Sequence, residues 1–219
     1  SSCAAQRVAL PSSFPSFLTR DLVQLTVRQH RWPPWLLCGT PDARKTERML
    51  VVRGTKKLRD RAKGPVAEDG DVSTGVLGDW FATALFWKPQ VALAVNARTF
   101  LPVFMPLAPA GKLLERLPDE IARILALHGV DLTTIGAERA RMADVRIAPT
   151  NDRSVVGVMT EFAFLGEHFF EGDLTALSLR MASTPVGPLR STHRFPDRAL
   201  AALLIDQSSS STAFVNVRA

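Results

Sequence analysis

The chain has 219 residues, of which 46% are hydrophobic and 22% charged, with 13 Gly, 15 Pro and no Tyr. This composition excludes a fully disordered chain, a collagen-like repeat and a disulfide scaffold, and the length suits a single well-packed core. The formal net charge is +6; residues 1–48 carry +4 of it and the rest only +2, so overall charge argues weakly for nucleic acid as a partner.

Residues 1–48 mix Ser, Pro and Arg without sustained periodicity and hold both cysteines, Cys3 and Cys38. Phe14, Phe17, Leu18, Leu22 and Leu25 outline a short amphipathic helix near 16–29, which Trp32-Pro33-Pro34-Trp35 cannot continue. Two readings stand side by side. One is a poorly ordered N-terminal extension, or upstream sequence ahead of a start at Met49. The other is a basic amphipathic targeting or partner helix. Residues 49–219 contain no cysteine, so no disulfide, cysteine-based zinc site or cysteine nucleophile is expected there, and a reducing cytoplasm fits.

From Met49 the pattern becomes regular. Leu50–Arg53 reads as a strand, Thr55 as the N-cap of a short helix from Lys56 to Ala62, and Gly64–Thr74 as a loop. Trp80–Trp87, Val91–Val95 and Thr99–Leu107 read as an antiparallel meander, with Pro102 and Pro106 placing the last at an edge. The stretch Val91–Pro109 is the most apolar, yet Asn96, Arg98, Pro102 and Pro106 interrupt it far short of a membrane span. Helices follow. Lys112–Leu127 carries leucines and isoleucines at helical spacing, with Pro118 starting a second helix or kinking the first, and Gly129 ends it. Thr133–Met142 is a further helix, Val145–Ala148 a strand, and Ser154–Phe169 a helix with Val155, Val158, Met159, Phe162 and Leu165 on one stripe. Leu174, Leu177, Ser178 and Met181 mark another helix, and Pro196 opens the last. Residues 207–219 form a Ser-rich, linker-like tail. These elements predict one α+β domain over 49–206, with a small, mainly antiparallel sheet covered by helices.

Four stretches stand out: Thr55-Lys56-Lys57-Leu58; Leu77-Gly78-Asp79-Trp80-Phe81; Thr150-Asn151-Asp152-Arg153-Ser154-Val155-Val156-Gly157-Val158-Met159-Thr160-Glu161-Phe162-Ala163; and Leu177–Ala182 with Thr184-Pro185 after it. Together they resemble a bacterial domain-of-unknown-function family whose members read T-K-K-L, L-G-D-W-Y, T-x-N-R-S-V-L-G-x-M-N-E-F-A and L-x-L-A-E-T-P. The resemblance spans Met49 to Leu204. It departs at Phe81 for Tyr, Thr160 for Asn and Ser183 for Glu. It implies an intracellular bacterial domain and carries over no reaction and no cofactor.

The turn Thr150–Ser154 is the foremost candidate site. A strand there runs into a helix whose first N–H groups and partial positive charge suit an anion. Arg153 adds a planar cation able to grip phosphate or carboxylate at two points, and Ser154 a hydroxyl. The same turn reads equally as plain capping by Asn151 or Asp152, with Arg153 paired to Asp144, Asp152 or Glu161. Lys56 and Lys57, within a basic stretch over 53–61, are either a phosphate contact or a solvated face. Asp79-Trp80 sets a carboxylate beside an aromatic that also reads as core. No histidine spacing suggests a metal, and neither GxSxG nor a P-loop occurs. Three functions remain: an interaction or small-anion-sensing module around Asn151, Arg153 and Ser154, with a small anionic ligand or protein partner; an enzyme using Lys56, Asp79, Arg153 and Ser154; or a nucleic-acid-binding domain using the stretch 53–61.

Overall fold

A computed structural model describes residues 48–215. The expectations placed on 1–47, including the helix near 16–29 and both cysteines, lie outside the described residues. The strands are β1 (Met49–Gly54), β2 (Trp80–Leu85), β3 (Val91–Asn96), β4 (Pro102–Pro106) and β5 (Asp144–Pro149), and the helices α1 (Lys56–Arg59), α2 (Leu113–Leu127), α3 (Leu132–Arg141), α4 (Arg153–Phe169), α5 (Leu174–Ala182) and α6 (Pro196–Val215). The strands form one sheet in the order β4-β3-β2-β1-β5. The meander expected from the sequence is present: β2 pairs antiparallel with β3, and β3 with β4. β1 joins it by pairing parallel with both β2 and β5. The class is α+β.

Both faces of the sheet are covered, so the strands read as nearly continuous apolar runs rather than alternating ones. One face sets Leu50, Val52, Trp80, Ala82 and Met105 against Leu114, Leu117, Ile121 and Ile124 of α2 and Leu58 of α1. The other sets Phe81, Leu93, Val95 and Phe104 against Val155, Val158, Met159 and Phe162 of α4 and Leu177 and Met181 of α5. The stripe predicted on 154–169 is this buried face, except that Leu165 sits at its partly buried margin. β4 lies at the sheet edge, as its prolines require. Its Phe104 N–H is satisfied by the Ser178 hydroxyl at 2.9 Å, which itself donates to the Leu174 carbonyl, so α5 closes that edge with a buried polar group. The outer flank of β5 is closed by residues 65–67, through Ala67 N–H to Ile147 O and Ile147 N–H to Pro65 O.

Several local expectations shift. Pro118 does not start a second helix: it is buried inside a continuous α2, where it removes the bond to the Leu114 carbonyl and adds apolar contact. Gly129, at φ +77°, ends α2 as expected, and the Val130 N–H reaches the Leu125 carbonyl beyond it. The short helix from Lys56 closes at Arg59 rather than Ala62. α6 continues through the serines at 208–211 to Val215, where the sequence suggests a linker-like tail. A serine costs a growing helix only about 0.5 kcal/mol, and the upstream turns, anchored by Ala199 and Leu200, already supply the nucleus.

The long connection 64–79 is held to the domain by charges. Arg146 Nη1 lies 2.8 Å from Asp71 Oδ2 and its Nη2 3.0 Å from Asp144, and these bonds raise the guanidinium pKa above its ordinary value, Asp71 contributing most. Glu138 of α3 is 4% exposed and accepts the Val76 and Leu77 N–H groups at 2.9 Å each. No helix among the described residues is long and apolar enough to cross a membrane.

Candidate functional site

β1 and β5 are neighbours, run parallel and stay paired as far as Gly54 and Pro149. Each then feeds a helix at its carboxyl end, and the helices leave toward opposite faces: α1 places Leu58 in the α2 layer, and α4 places Val155 and Val158 in the other. Where adjacent parallel strands send their connections to opposite faces, the connections part and leave a crevice outside the carboxyl ends. Lys56 and Asn151 each stand two residues beyond the last strand pair, with Arg153 and Ser154 opening α4. All four are exposed.

Ion pairing separates the arginines of the domain from the cations there. Arg53, Arg123, Arg139, Arg141, Arg146 and Arg180 each have an acidic partner. Among the described residues, Lys56, Lys57 and Arg153 have none. Of the acids weighed as partners for Arg153, Glu161 forms no ion pair with it and the other two are otherwise disposed. Asp144 holds Arg146, and Asp152 Oδ1 accepts the Ser154 N–H at 2.7 Å and the Val155 N–H at 3.4 Å. Asp152 therefore caps α4, and two of its leading N–H groups are already satisfied.

The other residues singled out in the sequence sit apart from this crevice. Asp79 precedes β2, with Oδ2 2.6 Å from Arg53 Nε and Oδ1 3.3 Å from the Ser73 N–H. Trp80 is wholly buried in the α2 layer, and its Nε1 finds no acceptor among the described residues. Within the basic stretch 53–61, Arg53 is held by Asp79 and Arg59 Nε donates to the Gly54 carbonyl. The Arg61 guanidinium lies over Phe86, 4.5 Å from the ring centroid, and donates to Gln90. Arg53, Arg59 and Arg61 thus each make a contact within the domain, and Lys56 and Lys57 are left exposed.

A hollow of about 170 Å³ opens beside these lysines. Thr83 and Leu85 of β2 and Val156, Met159 and Ala163 of α4 line it, with Thr55 and Lys57 at its mouth. Thr55 has the extended backbone of an N-cap, φ −62° and ψ 159°, but makes no capping bond. Its hydroxyl instead lies 2.9 Å from that of Thr83. Thr55 thus holds the N-cap position expected of it, with its hydroxyl turned to Thr83 instead of the helix. Neither Thr83 nor the hollow was legible in the sequence, because the wall comes from an element 70 residues further on. Larger surface clefts exist, of about 660 Å³ between α3 and α6 and about 590 Å³ beside Glu161, Arg190 and Arg194, but none is lined by Lys56, Asn151 or Arg153. Size alone does not choose among them. Among the described residues, no three His, Cys, Asp or Glu side chains are placed to hold a metal ion.

A family model described as a domain of unknown function (DUF6933) matches residues 51–199. No curated protein and no solved structure matches the chain.

Proposed function

The chain belongs to the DUF6933 family of domains of unknown function, and from that starting point we propose that it is a binding module for a small anion, received at the carboxyl ends of β1 and β5. The observation that carries this reading is the set Lys56, Lys57 and Arg153: three cations without acidic partners among the described residues, on segments almost 100 positions apart that follow the paired carboxyl ends of β1 and β5. Like charges gathered without counter-charge repel one another, and a bound anion relieves that repulsion. Arg153 supplies a planar two-point contact and the lysines supply mobile point charges, a combination suited to phosphate or carboxylate. Asp152 faces the helix rather than the ligand, because its carboxylate is occupied by the Ser154 and Val155 N–H groups.

The test is thermal unfolding of the full chain with millimolar inorganic phosphate or citrate at constant ionic strength. A ligand that binds only the folded state raises the melting temperature by mass action, by about 2.7 kcal/mol of stability at a hundredfold excess over Kd. Arg153→Ala and Lys56→Ala should each remove most of that shift while leaving the ligand-free melt within about 0.5 kcal/mol of wild type, since neither side chain has a partner to lose. No anion-dependent shift in the wild type, or a clear loss of stability in Arg153→Ala without anion, overturns the reading.

A further inference from the structure

The hollow beside the lysines narrows what the anion is attached to, and this inference rests on the anion-binding reading above. We infer that the site takes a carboxylate borne on a single-ring apolar body, with the ring in the hollow between β2 and α4 and the carboxylate at its mouth.

Three observations converge on that chemistry. The first is shape and polarity. Leu85, Val156, Met159 and Ala163 make the hollow mainly apolar, and its volume is about 170 Å³. Apolar cavities of about 150 Å³ accept benzene. A single six-membered ring matches that volume.

The second is a proton left over at the mouth. Thr55 and Thr83 share one hydrogen bond between their hydroxyls. Each hydroxyl carries one donor, so one of the two donors serves that bond and the other has no acceptor among the described residues. Thr160, also at the wall, is different: its hydroxyl donates to the Val156 carbonyl and offers no donor. The pair at Thr55 and Thr83 thus presents one O–H to an acceptor oxygen.

The third is the position of Lys57. Its ammonium lies 5.9 Å from the Phe86 centroid, and Arg61 covers the same half-exposed ring at 4.5 Å. The shared ring keeps Lys57 near the mouth without neutralising it, because cation–π attraction leaves its charge and N–H donors free for an anion. One ammonium and one hydroxyl match the two oxygens of a carboxylate.

The experiment titrates the full chain with sodium benzoate, acetate, benzyl alcohol and inorganic phosphate, followed by amide chemical shifts. Benzoate should bind roughly tenfold or more tightly than acetate, since only it buries a ring. Benzyl alcohol, with the ring but no charge, should also fall short by roughly tenfold. Lys57→Met should weaken benzoate roughly tenfold or more. Ala163→Leu fills the hollow and should abolish the preference of benzoate over acetate; circular dichroism and the phosphate titration show that this variant is folded. Benzoate no tighter than acetate, or a preference that survives Ala163→Leu, overturns the inference. If phosphate still binds in that case, the anion-binding reading stands by itself; if phosphate also fails, both fall.

Discussion

Glu138 offers the sharpest test of how the long connection before β2 is held. Its carboxylate is 4% exposed and accepts two backbone N–H groups, Val76 and Leu77, at 2.9 Å. Arg141 approaches only to 3.7 Å, so the backbone bonds dominate. Glu138→Ala leaves two N–H groups without an acceptor. A hydrogen bond to a charged acceptor is worth about 1.5–3 kcal/mol, and an orphaned buried donor costs about 1–3 kcal/mol. The expected loss is therefore about 3–5 kcal/mol. Gly75 probes the same contact from the other side. A Cβ there would lie 2.3 Å from Glu138 Oε1 and 2.9 Å from Cδ. The Gly75 backbone is not in the left-handed region, so an alanine is penalised only for that clash. Gly75→Ala should cost about 1–3 kcal/mol by displacing the carboxylate. With Glu138 already shortened to Ala the clash is gone, so the double variant should lose about 1–3 kcal/mol less than the sum of the single losses. Urea unfolding of the four proteins measures this. Additivity within about 0.5 kcal/mol, the behaviour of independent sites, would refute the argument that the connection hangs on this carboxylate.

Phe162 is fully buried between α4 and the sheet, so Phe162→Ala should cost about 3–5 kcal/mol in chemical denaturation, and a loss under about 1 kcal/mol would show that face to be free. His128 closes α2 with its Nε2 buried and unbonded among the described residues; burial lowers its pKa, against a weaker opposing pull from Asp197. A histidine lowered in the folded state is fully compatible with the fold above its ordinary value of 6.5, and stability falls as pH drops below that value, because the unfolded chain then binds more protons. The melting temperature should accordingly decline from about pH 7.5 to about pH 5.5, and His128→Gln should flatten that slope.

Much of the architecture was legible because it rests on local rules. The stripe on 154–169, the glycine that ends α2, the edge position of β4 and the opening of α6 at Pro196 each follow from side-chain periodicity or from a backbone that only Pro or Gly suits. The polar positions fared differently. Glu138 shares a face with Ile135 and Met142 at i, i+3 and i+7, and a charge on an otherwise buried stripe is a signal that a partner must exist. Which groups it meets, at positions 76 and 77, is not a property of that stripe.

The candidate site divides along the same line. Residue type alone made Arg153 and the lysines plausible anion ligands, and Asp152 a plausible cap. Only the parallel pairing of β1 with β5 sets the segments that carry Lys56 and Arg153 at the same end of the sheet, from which α1 and α4 leave toward opposite faces. Only packing decides which charges pair internally: Asp79 takes Arg53, while Lys56, Lys57 and Arg153 are among the described cations without an acidic partner. Helical and strand patterns are written over a few neighbouring residues, because backbone hydrogen bonds and side-chain stripes repeat at short range. A binding site is a sum over residues that the chain places far apart, so its composition is present in the sequence and its geometry arises only when the sheet closes.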